Sequence, residues 1–323
     1  MKTALKVFFI LALIGIFSTL FFMPISTQES DAIEKTKIVT TIFPAYDFTR
    51  TLSADTNVDL KLLIKPGTDI HSYDPTPQDI ASIKEADIFI YNGGKSEEWV
   101  SKILDELDKD NTVIVRMMDA VELKEEDNSN IVEKEAKKED TKHEYDEHIW
   151  TSPKNVKSIA DNIAQALINR TPNDTSIVQH NLEKYKADLD TIDGNFRQLA
   201  QEKTGTLIVA DRFPFKYFVD EYGFDYIAAF PGCSEQSEPS AKTVAELSKK
   251  VEQNPQKIIF HLELSNTKIT QTIAKSTKAK VLNWHSVHNV SQKDFDSGKT
   301  YLDFMRDNLA NLGEALHDKP TNK

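Results

Sequence analysis

The 323-residue sequence contains a single cysteine, Cys233, so an intramolecular disulfide is excluded. As a free thiol in Pro231-Gly232-Cys233-Ser234 it is either a small buried residue or a soft metal ligand. Positive charge is also in deficit: 39 Lys and Arg stand against 51 Asp and Glu, for a net charge of −12. That balance argues against nucleic-acid binding, which calls for basic patches, and suits attraction of cations in a general way. No His-Glu-x-x-His or comparable hydrolase motif occurs. No cysteine lies near the end of the apolar N-terminal stretch, which excludes lipid attachment through a lipobox.

That stretch has the make-up of a targeting segment. Lys2 and Lys6 give a positive start, and Val7 to Ile25 carries no charge. It is long for the core of a signal peptide and about the length of a membrane-spanning helix. Two readings remain for residues 1–35: cleavage between Ser26 and Ala32, or retention as an N-terminal anchor. No small-x-small site precedes Thr27, which favours the anchor. Either way the rest of the chain is exported.

About 290 residues remain, enough for two domains. Strand-like segments alternate with helical ones. Lys37–Phe43, Val58–Ile64, Asp87–Tyr91 and Thr112–Met117 read as strands, and Ala45–Ser53, Pro77–Ala86 and Ser96–Leu107 as helices. A second series follows: strands at Leu207–Ala210, Tyr226–Phe230, Lys257–Leu262 and Lys280–Trp284, with helices at Phe215–Tyr222, Ser240–Val251, Lys268–Ser276 and Gly298–Leu316. Between the two series lie a helix at Pro153–Arg170 and a helix of nearly thirty residues from Thr175 to Lys203. Leu182, Tyr185, Leu189, Ile192 and Phe196 form one stripe along the latter. The fold class is therefore α/β: two lobes, each a mostly parallel sheet flanked by helices, joined by one long backbone helix. The boundaries read as 36–170 for the first lobe, 171–204 for the linking helix and 205–323 for the second lobe.

Residues 122–147 break this rhythm, with eleven acids, five lysines and one histidine, His143. Such a composition cannot bury enough apolar surface to fold alone, and it reads as a mobile, solvated acidic loop. On that reading its removal leaves the fold intact.

Two histidines stand in distinctive contexts. His71 sits in Gly67-Thr68-Asp69-Ile70-His71-Ser72-Tyr73-Asp74-Pro75-Thr76-Pro77-Gln78-Asp79, and His148 in Asp146-Glu147-His148-Ile149-Trp150-Thr151-Ser152-Pro153. A neutral imidazole is the commonest ligand for divalent transition metals. Pro75 and Pro77 stiffen the segment after His71, so less entropy is lost when it closes on an ion. Asp74 and Asp146 are placed to accept the free ring N–H of a ligating histidine. Both contexts, in this order and separated by an acidic insertion, resemble the substrate-binding proteins of bacterial zinc and manganese ABC importers. The resemblance covers nearly all of the exported region. It implies that His71 and His148 are metal ligands, and that the long helix is a spine restricting hinge motion between lobes. It also implies that the acidic insertion occupies the place of a metal-collecting loop, although this one is poor in histidine.

The family uses four ligand positions, two per lobe, and the pattern fails in the second lobe. The position after the last strand, usually Asp, is occupied by Trp284-His285-Ser286, so the resemblance assigns His285 to it. The third position falls on Arg212, five residues before Tyr217, and arginine cannot ligate a cation. Asp211 is the first choice to replace it and Glu263 the second. Cys233, His261, His288 or a water are further options. His180 and His317 read as surface residues. His71, Asp211 and His285 each follow a strand, where ligands of α/β sheets bind, and His148 opens a helix. Three histidines shift the preference toward zinc, with manganese as the alternative.

The expected function is extracytoplasmic capture of a divalent metal, most simply zinc, and its delivery to an ABC permease by a monomer with no enzymatic activity. A zinc hydrolase would also use three histidines and a water, with Glu147 or Glu263 as its base. An anchored adhesin without metal would leave both histidine motifs unexplained.

Overall fold

The computed structural model describes residues 34–107, 111–133, 145–232, 234 and 238–316. The N-terminal apolar stretch, His143, Cys233 and His317 lie outside the described residues. Among the described residues no helix is long and apolar enough to cross a membrane.

The first sheet is built from β1 (Thr36–Thr40), β2 (Val58–Leu62), β3 (Ile88–Tyr91) and β4 (Val113–Arg116). Its strands are all parallel, in the order β2-β1-β3-β4. The crossovers carry α1 (Phe43–Leu52), α2 (Pro77–Lys84) and α3 (Val100–Leu104). The start of α2 follows from sequence: Thr76 and Asp79 form a reciprocal capping box, with Pro77 at the first helical position. The helix expected over Ser96–Leu107 is shorter than its apolar spacing suggests. A 3-10 turn at Lys95–Glu97 precedes α3, because the backbone there serves buried carboxylates: Gly93 N–H donates to Glu97 (2.7 Å) and Ser96 N–H to Glu147 (2.9 Å).

Two helices then cross the molecule. The first, α4 (Pro153–Arg170), starts at an Ser152 cap and buries Ile159, Ile163 and Leu167 completely. The second, α5 (Thr175–Glu202), has 28 residues and so spans roughly 42 Å. Tyr185, Leu189, Ile192 and Phe196 of its stripe are buried, and Leu182 partly so.

The second sheet comprises β5 (Leu207–Phe213), β6 (Tyr226–Pro231), β7 (Ile258–His261) and β8 (Lys280–Asn283), again all parallel, in the order β6-β5-β7-β8. Its helices are α6 (Lys216–Tyr222), α7 (Ala241–Gln253), α8 (Lys268–Thr277), the short α9 (Gln292–Asp296) and the closing α10 (Tyr301–Leu316). The register between β5 and β6 shifts between Val209 and Arg212. Such an irregularity re-aims side chains, here those of Asp211 and Arg212.

One apolar cluster runs through both lobes, from Ile38 and Phe43 through Trp150, Tyr185 and Phe196 to Trp284 and Leu316. Smaller clusters cover the outer face of each sheet. Asp47 on α1 ties the ends of the chain together: its carboxylate accepts Tyr301 N–H (2.8 Å) at the start of α10 and pairs with Arg50. Negative charge at a helix N-terminus is favourable.

Residues 130–133 of the acidic segment depart from the expectation of a solvated loop, and residues 134–144 lie outside the described residues. Residues 130–133 lie along the edge of the second sheet. Val132 and Glu133 N–H donate to Ala228 and Ala229 carbonyls (3.0 Å each), and Ala228 N–H returns a bond to Asn130 (3.1 Å). Ile131 is only 7% exposed. The Glu133 carboxylate accepts Ser240 N–H (3.0 Å) and bonds Thr243 at the start of α7. Two adjacent apolar residues and one capping acid therefore fasten a run that composition alone marks as soluble. We expect Ile131→Ala to destabilise the protein by about 2 kcal/mol or more, as for other buried isoleucines. Urea unfolding measures this, and a loss below about 0.5 kcal/mol, the range of ordinary surface changes, would show that the segment is not anchored.

Candidate metal centre

Three loops build the centre. The first follows β2. Asp69 accepts the His71 N–H (3.1 Å) and so caps the 3-10 turn Ile70–Ser72 that presents the ring. This loop is strapped to the second lobe: Gly67 N–H donates to Val290 O (2.8 Å), and the Asn289 amide donates to Lys65 O (3.0 Å) and Thr68 O (2.8 Å).

The second loop carries Asp146-Glu147-His148. Asp146 Oδ1 accepts the His148 backbone N–H (2.8 Å) and lies 3.1 Å from its Nδ1, which leaves Nε2 free to bind. Trp150, fully buried, donates its indole N–H to Ser286 O (2.9 Å) and crosses to the other lobe.

The third loop follows β8. Val287 adopts φ +62°, a left-handed conformation that costs a β-branched residue about 1–3 kcal/mol. The turn holds because its neighbours fix it. Val287 N–H donates to His285 Nδ1 (2.9 Å), and Asn308 brackets the His285 backbone with two bonds of 2.8 Å. Ser286 N–H donates to Glu263 (2.7 Å) and its hydroxyl to the same carboxylate.

The ligand atoms of His71, His148 and His288 lie within 4.8 Å of one another. His288, rather than the expected His285, lies with His71 and His148. The His285 ring packs on Phe304 (centroids 4.0 Å apart) and its Nδ1 accepts Val287 N–H. The tight turn carries the chain three residues further before an imidazole faces the cleft. His285 does not line that cleft. The sequence signal for His288, a second histidine just past the last strand, was present but could not be ranked above His285.

Asp211 also stands apart from the cluster, because no carboxylate of the described residues joins the three rings at that distance. It lines the same cleft, of about 140 Å³, but Oδ1 accepts the Arg212 N–H (2.9 Å) and Oδ2 lies 3.4 Å from Leu262 N. Glu263 lines it too, with both oxygens engaged by Ser286. His261 Nδ1 faces the Leu262 carbonyl (2.8 Å). Arg212 reaches the cleft and forms a long pair with Asp69 (3.7 Å), not with Asp211.

His71 is oriented by Ser96, which the sequence did not single out. Its Nδ1 lies 2.9 Å from Ser96 Oγ, which bonds the buried carboxylate of Glu147. Asp74, the sequence candidate for this role, does not take it. Gly94 (φ +93°) makes room for Glu147: a Cβ there would meet the Glu147 side chain at 2.6 Å.

The electrostatics favour the neutral form of two of the three rings. Burial, then the charges of His148 and Arg212, hold His71 below the ordinary imidazole range against the pull of Glu147. Burial, then the charges of His148, His71 and Arg212, push His288 well below it. Burial opposes the charged form of His148, but the charge and hydrogen bond of Asp146 win and raise it. Neutral nitrogen donors at this spacing are what a tetrahedral zinc site requires, and manganese prefers oxygen.

The family model described as "Zinc-uptake complex component A periplasmic" matches residues 38–315. The chain is 29% identical over 283 residues to the high-affinity zinc uptake system protein ZnuA of Bacillus subtilis, covering 88% of each. It is 28% identical over 291 residues to the zinc-binding lipoprotein AdcA of Streptococcus pneumoniae, covering 90% of this chain but 58% of that one. Among solved structures, the Zn(II)-bound ZnuA-like domain of S. pneumoniae AdcA superimposes with a TM-score of 0.73 at 27% identity, covering 88% of this chain and all of that one. The metal-dependent lipoprotein YcdH of B. subtilis gives 0.73 at 28%, covering 87% and 100%.

Two predictions follow from this geometry. His288→Ala should weaken zinc binding more than about 100-fold, beyond the range typical of a lost outer partner, whereas Ser96→Ala should cost about 10-fold. His285→Ala should act chiefly on stability, by about 1–3 kcal/mol, because Val287 N–H loses its acceptor inside the protein. Chelator competition and urea unfolding separate these effects; a His285→Ala loss of affinity matching that of His288→Ala would reverse the assignment. Glu263 gives the second. Burial pushes its carboxyl from 4.5 up to about 7, against the hydrogen bonds of Ser286. The folded state then holds a proton that the unfolded state loses, so this contribution is full below pH 4.5 and is lost as pH rises toward 7. Glu263→Gln should flatten the stability–pH curve across that window.

Proposed function

The chain belongs to the zinc-uptake complex component A family, and from that premise we propose that it captures zinc outside the cytoplasm through His71, His148 and His288 and passes it to an ABC permease. The observation that carries the ligand set is the convergence of three imidazoles from both lobes on one cleft. The zinc named in the relatives ZnuA and AdcA agrees with this all-nitrogen donor set. Manganese, the alternative within the family, would find no carboxylate among the described residues at the cluster. The protein acts as a monomer and binds the metal as cargo rather than for chemistry. A hydrolase would need a free base beside the ion. Glu147 is committed to Ser96 and Glu263 to Ser286. The N-terminal stretch would hold the protein at the outer face of the membrane that contains the permease.

We expect one zinc per chain, bound far more tightly than manganese, with His71→Ala and His148→Ala each removing most of the affinity. Cells lacking the native gene should lose growth in zinc-depleted medium and regain it on zinc addition. Preferential manganese binding, or unchanged zinc affinity in both variants, would overturn the assignment.

A further inference from the structure

The three imidazoles leave one position of a tetrahedral ion unfilled, and a guanidinium stands in the same cleft. We propose that this position belongs to a small carboxylate, one oxygen on the zinc and the other on Arg212, so that the cargo is taken up as a zinc–anion pair. The inference rests on the histidine set proposed above.

Four observations support it. First, the protein's own carboxylates are spoken for: Asp211 by Arg212 and Leu262 N–H groups, Glu263 by Ser286, Glu147 by Ser96, and Asp69 by the His71 N–H. Second, Arg212 is under-used. Among the described residues its guanidinium has one ion pair, to half-exposed Asp69 at 3.7 Å, although the group carries five donors. Third, Arg212 is 23% exposed and lines the same cleft as His71, His148 and His288. Fourth, the cleft of about 140 Å³ has walls of mixed character, with Thr68, Ser265 and Asn289 beside Ile70, Leu262 and Leu264, and room for a few waters or one small carboxylate.

The charge argument gives the direction. Zinc on three neutral imidazoles keeps its full double charge and would repel the guanidinium. A monoanion between them removes that repulsion and satisfies both. The planar fork of arginine matches a carboxylate, which lysine does not. Water at the fourth position would leave the two cations opposed.

The test is zinc affinity of the intact exported protein by chelator competition in a non-coordinating sulfonate buffer. Acetate and, separately, chloride are added at millimolar levels, with correction for their own zinc binding. Acetate should tighten binding at least about tenfold, and Arg212→Gln should abolish that ratio. Arg212→His should abolish it as well, because a fourth imidazole would fill the position. In the Co(II) form, acetate should shift the visible absorption of the parent but not of Arg212→Gln. An equal response to chloride would assign the position to inorganic anions as well; a response to acetate alone assigns it to carboxylates. An affinity independent of either anion, or an acetate response retained in Arg212→Gln, overturns the inference. Failure of the parent to bind zinc in any buffer would instead overturn the function proposed above.

Discussion

Three imidazole rings are brought within 4.8 Å of one another, and binding a cation there needs all three deprotonated. Burial and neighbouring charges hold His71 and His288 below the ordinary imidazole range, whereas at His148 burial is outweighed by Asp146, which raises it. The rings come from both lobes, so the constraint is also mechanical. Asn289 ties the loop of His71 to the loop of His288, and Trp150 ties the loop of His148 to Ser286. These three bonds set the spacing on which cation binding depends.

Much of this was legible from the chain. The strands and helices of both lobes follow apolar periodicity, and α4 and α5 start where Pro153 and Thr175 place them. His71 and His148 were marked by their neighbours, and Asp146 was correctly read as the partner of His148. The choice between His285 and His288 was not legible. A turn after a strand has no period, and which residue faces the cleft depends on the positive φ of Val287, for which valine gives no signal. Ser96 was equally hidden, because its role depends on a carboxylate 51 positions away. The anchoring of Ile131–Glu133 was hidden for a similar reason. The charge of the acidic segment was visible, but the strand edge that receives Ile131 lies in the other lobe.

Arg212 shows how one residue can be read in two ways. As a ligand position it is a loss, since a guanidinium cannot bind a cation. As a neighbour of neutral imidazoles it helps to keep them deprotonated in the empty protein, because its charge opposes a proton on His71 and on His288. The same irregularity between β5 and β6 that brings it into the cleft also turns Asp211 back toward backbone N–H groups.

The placement of Ile131 to Glu133 along β6 has a consequence for how such chains can be recombined. Residues that precede His148 in sequence belong to the second lobe in space, and the last helix returns to α1 through Asp47 and Tyr301. The two lobes are therefore interlaced rather than concatenated. A chimera joined within the long helix would separate Ile131 from its strand edge and Asp47 from its helix at a stroke. Halves exchanged between relatives would have to match each other across these contacts, even where each half has its own sheet.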